Sequence, residues 1–134
     1  MPAIIHGERT LTELDHVRLS KLRQDGEVPP EFEDLLDATE VVRSREVAPD
    51  IVTMNSQVQL TDRHSGQRQQ LTLCYPRDAA PGAGLVSVLS PVGMALIGLR
   101  LGATARWQTP SGEQVDAEVV GILYQPEASG DYTR

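Results

Sequence analysis

Ser90-Pro91-Val92-Gly93-Met94-Ala95-Leu96-Ile97-Gly98-Leu99-Arg100-Leu101-Gly102 reads as a turn, a short apolar helix and a glycine stop. It lies between two segments predicted to be strands, Leu85–Leu89 and Ala103–Gln108. Pro91 restricts Ser90 to extended backbone, Gly93 frees a turn position, and Gly98 and Gly102 end helical structure where a Cβ would obstruct the chain reversal. The block contains no catalytic constellation. It builds and presents a surface.

Working outward, the turn Thr109-Pro110-Ser111-Gly112 and the run Glu113–Tyr124 predict a closing hairpin, with Trp107 its only large aromatic. On the other side Gln57–Thr61 and Gln69–Tyr75 alternate about the turn Asp62–Gly66 and predict a second hairpin. Pro76 ends that hairpin, and Ala79–Gly84 is a small-residue loop. About five strands and one helix give an antiparallel sheet partly wrapped around the helix. Before residue 51 the apolar period is nearer 3.6. Thr10-Leu11-Thr12-Glu13 fits a capping box, with Leu14, Val17 and Leu22 following at helical spacing, which predicts a helix over 11–24. Pro30 suits a first helical position, and Glu31, Glu33 and Asp34 suit a first turn. Phe32, Leu35, Leu36, Thr39 and Val42 make a stripe that ends at the cations Arg43 and Arg45. The prediction is an α+β chain: a short antiparallel helical hairpin over 1–49, with arms of roughly 20 Å, then a sheet unit with one short helix over 50–134.

The chain has 134 residues, enough for one moderate core. Its net charge is −7, of which −6 falls within residues 1–50. Without a Lys/Arg cluster the counterion-release contribution to nucleic-acid binding is missing, so direct DNA or RNA binding is not expected. An acidic chain suits a basic protein partner or a metal-bearing site. Cys74 is the single cysteine and sits in an alternating strand, so it is expected to be a small buried hydrophobe. No apolar run approaches the ~18 residues of a membrane span, and Met1–Gly7 lacks the features of a signal peptide, which makes the cytoplasm the expected location. A monomer is expected, because the apolar stripe of each helix can be covered by the other.

The succession strand, Ser-Pro-x-Gly, Ala-Leu-x-Gly, Leu-Gly, strand, Thr-Pro-x-Gly, strand resembles the carboxy-terminal domain of the Gre transcript-cleavage factors, which has an FKBP-like fold. Ile51-Val52-Thr53-Met54-Asn55-Ser56 with Val58, and the tail Tyr124–Tyr132, are similar to a Gre-related group, the Rnk-type regulators of nucleoside diphosphate kinase. The resemblance is dense over 50–132. It implies a partner, RNA polymerase, with the sheet unit docked near the rim of the secondary channel through Ser90, Pro91, Val92 and Gly93. Leu89 stands where the family usually has a polar or acidic residue. In Gre factors a long coiled-coil hairpin carries paired carboxylates at its tip that help hold a metal ion for transcript cleavage. Here Asp25 and Glu27 occupy the predicted tip, the arms are shorter, and the Gre tip pattern of an acid followed three residues later by Glu and Asn is absent. The resemblance therefore implies a regulator that binds polymerase without promoting cleavage.

Each of these residues also has a plain structural reading. Asp25 and Glu27 fit a solvated turn near a helix start, and Ser90, Pro91 and Gly93 fit turn geometry alone. Met94, Leu96, Ile97 and Leu99 fit a core. His6, His16 and His64 have no metal-ligand spacing, there is no Gly-x-Ser-x-Gly elbow, and Gly82-Ala83-Gly84 lacks the Lys, third glycine and helix onset of a phosphate cradle. No catalytic residue, metal site or cofactor is assigned, and the chain is not expected to be an enzyme. Direct regulation of nucleoside diphosphate kinase, by protein contact or nucleotide sensing, is the alternative function. Peptidyl-prolyl isomerase activity is a remote one, since only Trp107, Tyr75 and Tyr124 could line an aromatic pocket.

Overall fold

The computed structural model describes residues 9–26 and 28–131, with Asp25 described in its backbone only. Among these residues seven strands and three α-helices follow one another: β1 (Thr10–Thr12), α1 (Glu13–Asp25), α2 (Pro30–Ala38), β2 (Glu40–Val42), β3 (Gln57–Asp62), β4 (Arg68–Cys74), β5 (Leu85–Ser87), α3 (Pro91–Leu96), β6 (Thr104–Gln108) and β7 (Gln114–Tyr124). β3 to β7 form one sheet in the order β5-β4-β3-β7-β6.

Alternation sets the sheet's inner face. Val58 and Leu60 of β3, Leu71 and Leu73 of β4 and Ala117 and Val119 of β7 are buried, while their neighbours Gln57, Gln59 and Thr61 face outward. β3 pairs antiparallel with β4 and with β7, and β6 with β7, as the two hairpins predict. The sheet is nevertheless mixed rather than antiparallel, because β4 and β5 run parallel. The chain between them, 75–84, is long enough to cross back through two 3-10 turns, and a parallel neighbour requires such a crossover.

The amino-terminal part departs further from the expected helices. Thr10–Thr12 is a strand, and the cap is Thr12, whose Oγ1 accepts the Asp15 N–H at 3.0 Å. The buried side of α1 carries Asp15, Leu19 and Leu22, at i, i+4 and i+7; of the expected stripe Leu22 packs against the core and Leu14 is half-buried. Val17 is 59% exposed. α2 buries Phe32 and Leu36 and stops at Ala38. Thr39 has extended backbone, its Oγ1 donates to the Leu36 carbonyl, and Glu40–Val42 pair in parallel with Thr10–Thr12. Thr39 and Val42 thus leave the helical stripe, since β-branched residues suit the strand that closes the α1–α2 segment at its base. Arg43 and Arg45 lie beyond that strand, not at the helix end. Leu11, Leu19, Phe32 and Leu36 belong to the same buried cluster as Val58, Leu73, Leu96 and Ile97, so the helical segment and the sheet share one core.

The shifted cap has a measurable consequence. Thr12→Ala is expected to cost about 1 kcal/mol, and Thr10→Ala, whose side chain caps nothing, a few tenths, in paired urea titrations.

Candidate docking face

Ser90 begins α3 and fixes its position. Its Oγ accepts the Gly93 N–H at 3.1 Å and donates to the Ser87 carbonyl at 2.6 Å, and its N–H donates to the same carbonyl at 3.0 Å. α3 is thereby pulled onto the end of β5. A Cβ on Gly93 would stand 2.0 Å from the Ser87 carbonyl oxygen, so the approach is possible only for glycine. Of the four expected docking residues, Pro91 is exposed, Ser90 and Val92 are half-buried and Gly93 is buried. Pro91 and Val92 can therefore touch a partner, and Ser90 and Gly93 hold them in place. Leu96, Ile97 and Leu99 are core residues.

The far end of α3 is where the amino-terminal segment attaches. The Arg9 guanidinium donates to the carbonyls of Met94 at 2.7 Å and Ile97 at 3.1 Å, which places a cation at the negative end of the helix. The Thr10 N–H donates to the Gly98 carbonyl, and at Gly98, with φ +79°, an added Cβ would meet Thr10 backbone atoms at 3.0 and 3.1 Å. Nothing in the spacing of Arg9 and Thr10 announces this contact, which joins residues nearly ninety positions apart.

Between α2 on one side and α3 with β6 on the other lies a cleft of about 780 Å³. Leu35, Ala38, Pro91, Met94, Ala95 and Trp107 give it apolar walls, and Glu31, Asp34 and Asp37 line its α2 side. Of the three aromatic residues weighed for an isomerase pocket, Trp107 alone lines this cleft.

The two segments that carried the narrower resemblance meet in space. In the turn 53–56, where Asn55 takes φ +67°, the Ser56 Oγ accepts the Thr53 N–H at 2.9 Å and lies 2.9 Å from the Thr53 Oγ1. Thr53 Oγ1 donates to Glu127 at 2.7 Å, and Gln125 Nε2 donates to the carbonyls of Ala48 and Ile51. Asp15 enters from α1, its Oδ2 accepting the Met54 N–H at 3.1 Å. Burial, with the charge of Glu127 adding to it, raises Asp15 from 3.8 to about 7 against the opposing Met54 hydrogen bond and Arg18 charge. These residues fasten α1, the 53–56 turn and the tail to one another. Asp15 was not distinguished in the sequence; the pattern Thr12-x-x-Asp15, with an acid at the third helical position, was the available signal.

Cys74 is buried and its Sγ donates to the Val86 carbonyl; burial raises its thiol above the ordinary value. Asp25 closes α1, and Glu27 and the tail residue Tyr132 lie outside the described residues, as does His6. His16 lies on α1, and His64 is in the β3–β4 turn. Among the described residues no three His, Cys, Asp or Glu side chains are placed to hold a metal ion. Among the same residues no helix is long and apolar enough to cross a membrane.

Residues 47–124 match the family described as "Transcription elongation factor, GreA/GreB, C-term". The "Regulator of nucleoside diphosphate kinase" of Escherichia coli K12 is 40% identical over 97 residues, which cover 72% of this chain and 71% of that protein. "Transcription elongation factor GreA" of Desulfovibrio desulfuricans is 36% identical over 57% of this chain, a match that spans 46% of its own length. The solved structure of a prokaryotic transcription elongation factor GreA/GreB from Nitrosomonas europaea superposes with a TM-score of 0.74 at 35% identity, covering 87% of this chain and 98% of that one.

Proposed function

Since the chain belongs to the GreA/GreB C-terminal family of transcription elongation factors, we propose that it is a non-enzymatic regulator of transcription that binds RNA polymerase through the α3 face. The observation that carries this reading is the exposed Pro91 held on a rigid base by the Ser90, Ser87 and Gly93 contacts, within the segment that matches the family. A partner-facing residue is best presented when its own position is locked by neighbours. We assign residues 1–49 to a short antiparallel helical hairpin, coiled-coil-like, with Asp25 and Glu27 at its tip, and residues 50–134 to an FKBP-like unit. α1 has 13 residues and α2 has 9, so the arm reaches roughly 20 Å. An arm of that reach, short for a hairpin that must carry its tip to a distant site, supports binding without stimulation of transcript cleavage. The monomer, the cytoplasmic location and the lack of direct nucleic-acid binding belong to the same reading.

The name of the 40% identical relative supports a second reading, direct action on nucleoside diphosphate kinase. Two measurements together separate them. Fluorescence anisotropy with purified RNA polymerase is expected to give saturable binding at micromolar protein or below. Pro91→Glu keeps a residue suited to a helix's first turn yet adds bulk and charge at the exposed tip, so it is expected to weaken binding about tenfold with its melting temperature nearly unchanged. Kinase activity measured with and without the protein is expected to be the same. Absence of polymerase binding together with a change in kinase activity would reverse the assignment.

A further inference from the structure

The tail that follows β7 is held down beside a buried acid. Gln125, 4% exposed, fixes its start, since the Nε2 donates to the Ala48 and Ile51 carbonyls at 2.8 and 2.7 Å. Beyond it the N–H groups of Ser129, Gly130 and Asp131 close turns within the tail, on the carbonyls of Gln125, Glu127 and Pro126. Those bonds shape 126–131 without fastening it to the helices or the sheet. From the tail to the 53–56 turn runs the hydrogen bond that Thr53 Oγ1 donates to Glu127 at 2.7 Å. The next residue of that turn, Met54, gives its N–H to Asp15 at 3.1 Å. Two consecutive residues of one turn therefore each hold a carboxyl group, one from the tail and one from α1.

We propose that 126–131 is a proton-operated strap, closed on the 53–56 turn while Asp15 is neutral and released about Gln125, with α1 and the sheet in place, when Asp15 ionises beside Glu127. The strap works on the chain's own geometry, whatever the α3 face binds. A neutral Asp15 sits beside an ionised Glu127 without repulsion, whereas two carboxylates repel with little screening where one of them is 1% exposed. The other charged or titratable groups that face Asp15 among the described residues are Arg18 of the same helix and Tyr75, just past β4; the 53–56 turn brings none. Burial, with Glu127 adding to it, outweighs the Met54 hydrogen bond and the Arg18 charge, so Asp15 titrates at about 7. Tyr75 is pushed above its ordinary 10 by burial and stays neutral throughout. Asp15 cannot move away, because Leu19 and Leu22 hold its side of α1 in the core. The tail can, since Ala128, Ser129 and Gly130 are exposed and Pro126 is its one fully covered residue beyond Gln125 among those described. Release takes Glu127 away from Asp15, so the released state holds the Asp15 proton less tightly. Release is therefore favoured as pH rises toward about 7 and levels off above it.

A probe on the tail reads this directly. In the full chain Ala128→Cys places an exposed thiol for a trifluoromethyl tag, while Cys74 is buried. Fluorine spectra of the tagged chain are recorded between about pH 5 and pH 8, with the Asp15 carboxyl carbon titrated in parallel. The expected result is a strapped and a released signal whose ratio moves toward release by at least about fivefold, along the same curve as the Asp15 carboxyl. The amide resonances of α1 and β3 should keep their folded positions over the range. Asp15→Asn and Glu127→Gln each retain an oxygen to accept the Met54 N–H or the Thr53 hydroxyl and each remove one charge. In the tagged chain both are expected to hold the ratio within about twofold across the range. A ratio that does not change with pH, or one that changes equally in either variant, would overturn the strap. Loss of the folded α1 or β3 resonances together with the tail signal would overturn it as well, by showing that the tail leaves only when the chain unfolds.

Discussion

Gly93→Ala is expected to lower stability by at least 3 to 5 kcal/mol, roughly 10 to 20 °C in melting temperature for a chain of this size. The added methyl would sit 2.0 Å from the Ser87 oxygen and 2.8 Å from both the Ser87 carbonyl carbon and the Val88 Cα, all backbone atoms. That backbone cannot retreat cheaply. The Ser87 carbonyl accepts two hydrogen bonds from Ser90, the Ser87 Oγ accepts the Leu89 N–H, and Ser87 ends the strand paired with Cys74. Relief requires α3 to lift away from β5, which uncovers Leu96 and Ile97, both fully buried. Since small domains are stable by about 5 to 15 kcal/mol, the variant is expected to be partly unfolded near physiological temperature. Gly82→Ala provides the control. Nothing lies within 4 Å of its added methyl, so it is expected to change stability by less than about 1 kcal/mol. Urea titrations of the two variants check this, and equal midpoints would show that α3 does not approach β5 as closely as described. The same reasoning makes Gly93 unsuitable for probing polymerase contact, whereas Pro91 can be changed with the helix intact.

The second large effect concerns pH. Asp15 is 1% exposed, and its carboxyl, raised by burial and by the neighbouring Glu127, holds its proton up to about 7, against 3.8 in the unfolded chain. Between those values the native state binds more protons than the unfolded state, so stability falls as pH rises through the window. This contribution is fully present below about pH 3.8 and is lost above about pH 7. At 1.36 kcal/mol per pH unit the whole window is worth on the order of 4 kcal/mol. Asp62 acts elsewhere: its exposed carboxylate accepts the His64 and Ser65 N–H groups and is held below 3.8, so its effect lies at more acidic pH, with the opposite sign. Asp15→Asn retains an oxygen to accept the Met54 N–H and cannot ionise. It is expected to raise stability at about pH 8 by 2 kcal/mol or more, and to flatten the fall expected of wild type from about pH 5 upward. Denaturation midpoints at several pH values measure this directly, and parallel slopes in the two proteins would exclude Asp15 as the source. Because Asp15 joins α1 to the 53–56 turn, loss of its native contacts should loosen the helical segment first, observable as faster amide exchange in α1 than in β3 and β7.

Most of the sheet was legible in the sequence because strand alternation and turn chemistry are local. Val58, Leu60, Leu71 and Leu73 announce one buried face, and Thr109–Gly112 announces a turn whether or not anything packs against it. The parallel pairing of β4 with β5 was not legible, because 75–84 is compatible with either direction until the chain is placed. The amino-terminal helices were legible in number but not in register. Thr10 and Thr12 both fit a cap, and only the pairing of Thr10–Thr12 with Glu40–Val42 decides between them. The docking of α1 on the common core then leaves Val17 to solvent and brings Asp15 inside.

The candidate site divides along the same line. Ser90, Pro91 and Gly93 could be picked out directly, because a proline that forces extended backbone before it and a glycine in a crowded turn are properties of single residues. From the sequence follow the α+β class, the succession of the strands β3 to β7 along the chain, the short helix α3 and the net acidic charge, since each depends on neighbours within a few positions or on composition. Tertiary structure alone decided that Arg9 and Thr10 fasten the end of α3, that Asp15, Thr53 and Glu127 meet in one network, and that Glu31, Asp34 and Asp37 face Trp107 across a cleft. Those contacts join positions between about 40 and 90 residues apart, and which distant residues meet is set by the packing of the common core.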